Sequence, residues 1–127
     1  MRVLVTGSRE WIDREIVSVV LNGFLLRSIE DYDEQFVVIE GGASGADEFA
    51  RAWRKFDEDV EHIREDADWD EYGKSAGPIR NRKMVDEHEP DVVLAFHDHL
   101  AHSKGTRDCV LYAREQGIPV YNIRSVE

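Results

Sequence analysis

The chain has 127 residues, 42% of them hydrophobic, which suits one ordered globular domain and leaves no room for a second. A formal net charge of −11 repels polyanions over most of the surface, so nucleic acid is disfavoured as a partner, whereas one small phosphate ligand in a local basic cradle is not. The single cysteine, Cys109, excludes an intrachain disulfide, and with no secretory pattern and no apolar run near the roughly 20 residues of a membrane span, a cytoplasmic protein without membrane contact is expected.

From Arg2 to Thr6 a short β-rich run ends at Gly7. Between about Ile12 and Ile29, Ile16, Val17, Val20, Leu21, Phe24 and Leu25 then recur at helical spacing. Phe36 to Glu40 predicts a second strand, followed by a glycine-rich turn and a helix from Ala46 to about Phe56 with Phe49, Ala50, Trp53 and Phe56 on one face. Val60 to Ile63 predicts a short third strand. Asp66 to Ser75 has no apolar period and is expected to be a long polar loop, while Pro78 suits the first turn of a helix running to about Glu87. Asp91 to Phe96 has the continuous apolar character of a strand buried on both faces; a helix from Gly105 to about Gln116 stops at Gly117, and Ile118 to Ile123 is the last strand. Strands alternating with helices imply right-handed crossovers and a parallel sheet: a single α/β, Rossmann-like, three-layer domain over residues 1–127 with helices on both faces. Ligands of such sheets lie outside the carboxyl ends of the strands, where strand order reverses.

The candidate binding residues fall in loops at those ends. Thr6, Gly7, Ser8 and Arg9 follow the first strand, where Gly7 permits unusual backbone conformations and Ser8 and Arg9 supply donors; an ordinary turn with Ser8 as a helix cap is the alternative. Gly41, Gly42, Ala43, Ser44, Gly45, Ala46 and Asp47 follow the second strand with little side chain to obstruct a ligand, and the next helix would point its N–H groups at an anion. The sequence there is neither a Walker loop nor a dinucleotide fingerprint, and a tight packing turn capped by Asp47 is the alternative. Pro78, Arg80 and Asn81 open one helix, and Lys104, Gly105 and Thr106 open another; both starts offer N–H groups beside cations. Trp69, in the acidic loop, could stack a base or cover the sheet edge. His97, His99 and His102 invite a metal reading, but without fixed helical spacing they are read as solvent-facing, so no metal and no cofactor is expected. Cys109 is assigned to packing.

In this order, Thr-Gly-Ser-Arg, Gly-Gly-Ala-Ser-Gly-Ala-Asp, Ala-Asp-Trp, Gly-Pro-Ile-Arg-Asn-Arg and Lys-Gly-Thr resemble the YspA-like branch of the SLOG superfamily across nearly the whole chain, a branch often encoded by bacteria and phages. The resemblance implies about five parallel strands in the order 3-2-1-4-5 and binding or sensing of a nucleotide-derived ligand such as an ADP-ribose-like molecule. A homodimer is compatible with related folds. SLOG proteins also include phosphoribohydrolases that cleave the N-glycosidic bond of nucleoside monophosphates with an Arg and a Glu, so nucleotide N-glycosidase activity is the enzymatic alternative. Their usual Pro-Gly-Gly-x-Gly-Thr-x-x-Glu is replaced here by the run from His102 to Cys109, which puts Cys109 at the Glu position and Asp108 one residue early. A DNA-handling role like that of the DprA relatives is disfavoured by the charge.

Overall fold

A computed structural model describes residues 1–31, 35–54 and 59–125. Five strands, β1 (Arg2–Gly7), β2 (Phe36–Glu40), β3 (Val60–Arg64), β4 (Val92–Phe96) and β5 (Val120–Ile123), form one sheet in the order β3-β2-β1-β4-β5 with every pairing parallel. The helices are α1 (Arg14–Asp31), α2 (Ala46–Arg54), α3 (Trp69–Tyr72), α4 (Ala76–His88) and α5 (Gly105–Glu115). This is the expected Rossmann-like α/β fold with the expected strand order. Among the described residues no helix is long and apolar enough to cross a membrane.

Alternation along the central strands divides the core in two. Val3 and Val5 of β1, with Val38, Leu94 and Phe96, pack under Val17 and Leu21 of α1 and Ala50 of α2. Leu4, Ile39 and Val93 face the other way and meet Met84 and Val85 of α4 and Cys109 and Ala113 of α5. Cys109 is wholly buried and packs as the small apolar residue it was expected to be.

The element boundaries have local causes. Asp13 Oδ1 accepts from the Ile16 N–H at 3.1 Å, so α1 starts at Arg14 and Ile12, expected at the helix start, stands outside it and 88% exposed. The segment expected to be an irregular loop from Asp66 to Ser75 contains α3 and a 3₁₀ turn over Gly73–Ser75. Asp68 Oδ1 caps α3 by accepting from the Glu71 N–H at 3.1 Å; four residues are too few to display an apolar period. Phe56, expected at the end of α2, lies outside the described residues. At the end of α5, Gly117 adopts φ 77° while its N–H reaches Arg114 O and the Ile118 N–H reaches Ala113 O, both at 3.0 Å, a Schellman closure that turns the chain into β5.

β1 is the pivot of the topology. The chain runs outward from it through β2 to β3, then returns to its other side for β4 and β5. The order therefore reverses between β1 and β4, and the crevice over their carboxyl ends is the natural ligand position of this architecture.

Candidate functional site

The loops after β1 and β2 are locked together. The Ala46 N–H, first in α2, donates to Ser8 O at 3.2 Å, and Ser44 Oγ donates to Arg9 O at 3.2 Å. Two glycines allow this approach. Gly45 has φ 71°, and a Cβ on it would run into Ser8 O. Gly7 is not in the left-handed region, contrary to the expectation of an unusual backbone there; glycine is needed because a Cβ would lie 2.5 Å from Phe96 O and 2.7 Å from the Ala46 Cβ.

The N–H groups of the Gly41–Asp47 loop largely face the protein's own oxygens. Gly41 and Ala43 donate to Asp47 Oδ2 at 3.1 and 3.3 Å, and Gly42 donates to Glu40 Oε1 at 2.5 Å. At these donors the Asp47 and Glu40 carboxylates occupy the role a bound anion would play. The Glu40 side chain is completely buried and is held by Arg51 Nη1 at 2.7 Å and His62 Nε2 at 2.8 Å, while Arg51 Nη2 also donates to Ala43 O at 2.9 Å. One arginine of α2 thus fastens both the end of β2 and the loop that follows.

Burial, and secondarily the neighbouring Glu40, pushes the Asp47 carboxyl from 3.8 up to about 6. A carboxyl whose pKa is raised by folding binds more protons in the folded chain than in the unfolded one between those values. Its charge therefore opposes folding increasingly as pH rises from about 4 to 6, and fully above that. Asp47→Asn keeps an oxygen for Gly41 and Ala43 without the charge. It is expected to gain up to about 3 kcal/mol over the parent at pH 8 and to lose that advantage near pH 4, measured by urea unfolding across pH. An advantage independent of pH would contradict this account.

The other expected site residues gather around the starts of α4 and α5. Arg80 Nη1 donates to Gly41 O at 2.6 Å and its Nε to Asn81 Oδ1 at 2.9 Å, so Arg80 supports the glycine loop from the opposite face of the sheet. Buried Asn81 donates to Gly105 O at 3.2 Å and to Asp108 Oδ2 at 3.1 Å, joining α4 to α5. Asp108 is also paired with Arg82 at 3.1 Å, and Pro78 O accepts from Arg82 Nη1 at 3.0 Å. Thr106 is buried and its N–H is capped by Ser103 Oγ at 3.1 Å, whereas Lys104 is exposed. Trp69 is half exposed, its ring edge over Gly77 at the start of α4. The buried Cys109 thiol, pushed by desolvation up to about 12, holds its proton at neutral pH.

A cavity of about 700 Å³ meets this set at Ser8 alone. It opens over the β1–β4 crevice between the segment after β1, including Glu10, Trp11, Asp13 and Arg14, and His97, Asp98 and His99 after β4, so its lining carries three carboxylates beside one arginine. Trp11, Arg14 and the two histidines were not among the expected binding residues. The signal that could have found them was the strand order, which sets the loops after β1 and β4 side by side. His97 Nδ1 accepts from the His99 N–H at 2.9 Å. Among the described residues, Glu65, Glu87 and His88, not these histidines, form the group of potential metal ligands whose atoms lie within 4.8 Å of one another, and there Glu65 already pairs with His88 and Lys83 at 2.8 and 3.4 Å.

Five parallel strands, crossover helices and loops gathered at the carboxyl edge define a protein of the Rossmann-like α/β class. A family model for the YspA, cpYpsA-related SLOG family matches residues 1–72, more than half of the 127, and the chain belongs to that family. The family suggests a nucleotide-related role in general terms. The Gene 61 protein of Mycobacterium phage D29 is 44% identical over 125 residues, covering 95% of this chain and 94% of that protein. No solved structure gives a significant match.

Proposed function

We propose that this chain binds or senses a nucleotide or nucleotide-derived phosphate ligand, ADP-ribose-like in kind, at the carboxyl edge of its sheet. The observation that carries this reading is the cavity of about 700 Å³ at the β1–β4 crevice, a volume suited to such a ligand. Ser8 and Arg14 of the lining, with Arg9, next to Ser8 in sequence, reaching in from outside it, would hold the phosphate, and Trp11 and the two histidines would lie beside the rest of the molecule. Arg80 and Asn81 act in this reading as positioning residues, holding the glycine loop and the start of α5 in place. Calorimetric titration with nucleoside mono- and diphosphates, cyclic nucleotides and ADP-ribose tests it. At least one is expected to bind saturably, with Arg9→Ala weakening it about ten-fold or more, as loss of a charge-assisted contact should. If none binds, or the variant titrates like the parent, the reading fails.

Nucleotide N-glycosidase activity is a second reading, supported by Asp47, whose carboxyl at about 6 can hold or release a proton near neutrality. Cys109 at the Glu position and Asp108 tied to Arg82 and Asn81 weigh against it. It requires free base and ribose phosphate to accumulate from a bound nucleoside monophosphate, and to stop accumulating in Asp47→Asn. Intact nucleotide after long incubation leaves binding as the function.

A further inference from the structure

Next to the crevice cavity, with which it shares Asp98 and His99, the carboxyl edge carries a second cavity, about 480 Å³, between α5, the 3₁₀ turn over Leu100–His102 and the segment after β5. Three guanidinium groups border it: Arg107 and Arg114, two turns apart on α5, and Arg124 just after β5. None of the three has a carboxylate partner among the described residues, although the chain has 27 acidic side chains against 16 Lys and Arg, so partners are plentiful elsewhere. The one carboxylate in the lining, Asp98, is engaged by the Ser125 N–H and Oγ, both at 2.7 Å, which hold it ionised below its usual range. Asp98 thus keeps its charge but spends its oxygens on Ser125, and it pairs with none of the three arginines, which outnumber it three to one in the lining. Leu100, Val110 and Leu111, the last 47% exposed, line the same cavity and give it apolar surface beside the cationic groups.

We propose that this cavity is a second binding site, adjoining the first, for a small organic anion, a compact phosphate or carboxylate carried on an apolar body. Arginine suits such a site because its planar fork can grip an oxyanion bidentately. The apolar surface receives the rest of the molecule, and the volume lies within the range of small-molecule pockets. In a chain of net charge −11, three arginines with no carboxylate partner among the described residues make a local well at one cavity for an anion that the surrounding surface repels. Neither Ser8 nor Arg9 lines this cavity, so the proposal does not rest on ligand binding there.

The test is an NMR titration of the ¹⁵N-labelled full chain with phenyl phosphate, phenylacetate, inorganic phosphate and phenol. Phenyl phosphate or phenylacetate is expected to shift the amides of Leu100, Val110 and Leu111 saturably, at least about ten-fold more tightly than inorganic phosphate or phenol. The double variant Arg107→Gln with Arg114→Gln, both exposed, should weaken this about ten-fold or more while the remaining amide spectrum stays folded; Ser8→Ala and Arg9→Ala should leave it unchanged. The proposal is overturned if neither aromatic anion saturates this cavity, if the double variant binds them as the parent does, or if the shifts track protein concentration without ligand and so report contact between copies.

Discussion

Gly45→Ala is expected to be among the most damaging single-methyl additions to this chain. Alanine at φ 71° is strained by about 1–2 kcal/mol before any contact is considered. The new Cβ would also run into Ser8 O and lie 2.7 Å from both the carbonyl carbon and oxygen of Arg9, backbone atoms that cannot swing aside as a flexible side chain could. The loops after β1 and β2 would have to part, breaking the Ala46 to Ser8 bond and the Ser44 to Arg9 bond. A loss of roughly 3–5 kcal/mol is expected, a large share of a typical domain's 5–15 kcal/mol, with Tm falling by roughly 10–20 °C. Gly23→Ala is the matching control: Gly23 lies inside α1 with nothing within 4 Å of a Cβ, and alanine there should add about 0.5–1 kcal/mol. Comparable melting of the two variants in calorimetry would refute the assignment of Gly45 as the clasp between the loops.

Removing the Arg51 guanidinium should have an effect of the same order for an electrostatic reason. Glu40 is buried completely at the end of β2, and Arg51→Met would leave it with His62 and one backbone N–H. Breaking a buried ion pair from one side costs about 3–5 kcal/mol, because the remaining charge stays out of water without its counterion. Adding Glu40→Gln to Arg51→Met should restore part of the loss, since the stranded charge is then gone. Urea unfolding of the single and double variants checks this, and a loss below about 1 kcal/mol for Arg51→Met would show the pair to be dispensable. The amides of Gly42 and Ala43 should shift in the single variant, because Arg51 also holds Ala43 O.

Glu40 also marks the boundary of what could be read from sequence. Continuous apolar runs locate Phe36–Glu40 and Val92–Phe96 almost to the residue, because burial on both faces leaves a local trace, and Gly105 and Gly117 bound α5. The glycine loops were visible from residue type alone. What those glycines serve was only partly visible: Gly45 and Gly7 admit the neighbouring loop, strand and helix, and Asp47 supplies an acceptor to the loop. The cap had been named as an alternative, but choosing between it and an exposed anion cradle requires knowing where a side chain turns. The pairing of Glu40 with Arg51 and His62, 11 and 22 residues away, leaves no local signature. Arg14, His97 and His99 come together only after β4 is inserted beside β1.

That insertion bears on how the chain acquires its shape. Parallel neighbours cannot zip up from a hairpin, so each pairing must first close a loop long enough to contain a crossover. For the central pair that loop is long: the Arg2 N–H bonds to the Asp91 carboxylate, 89 residues away. Contacts of such separation are entropically expensive and slow the search for the native state. On the ribosome, β1 can acquire β2 on one side while its other edge stays bare until residues 92–96 emerge. The crevice between β1 and β4 does not exist before then, so the ability to hold a ligand there is acquired late, with the closure of the longest loop in the sheet.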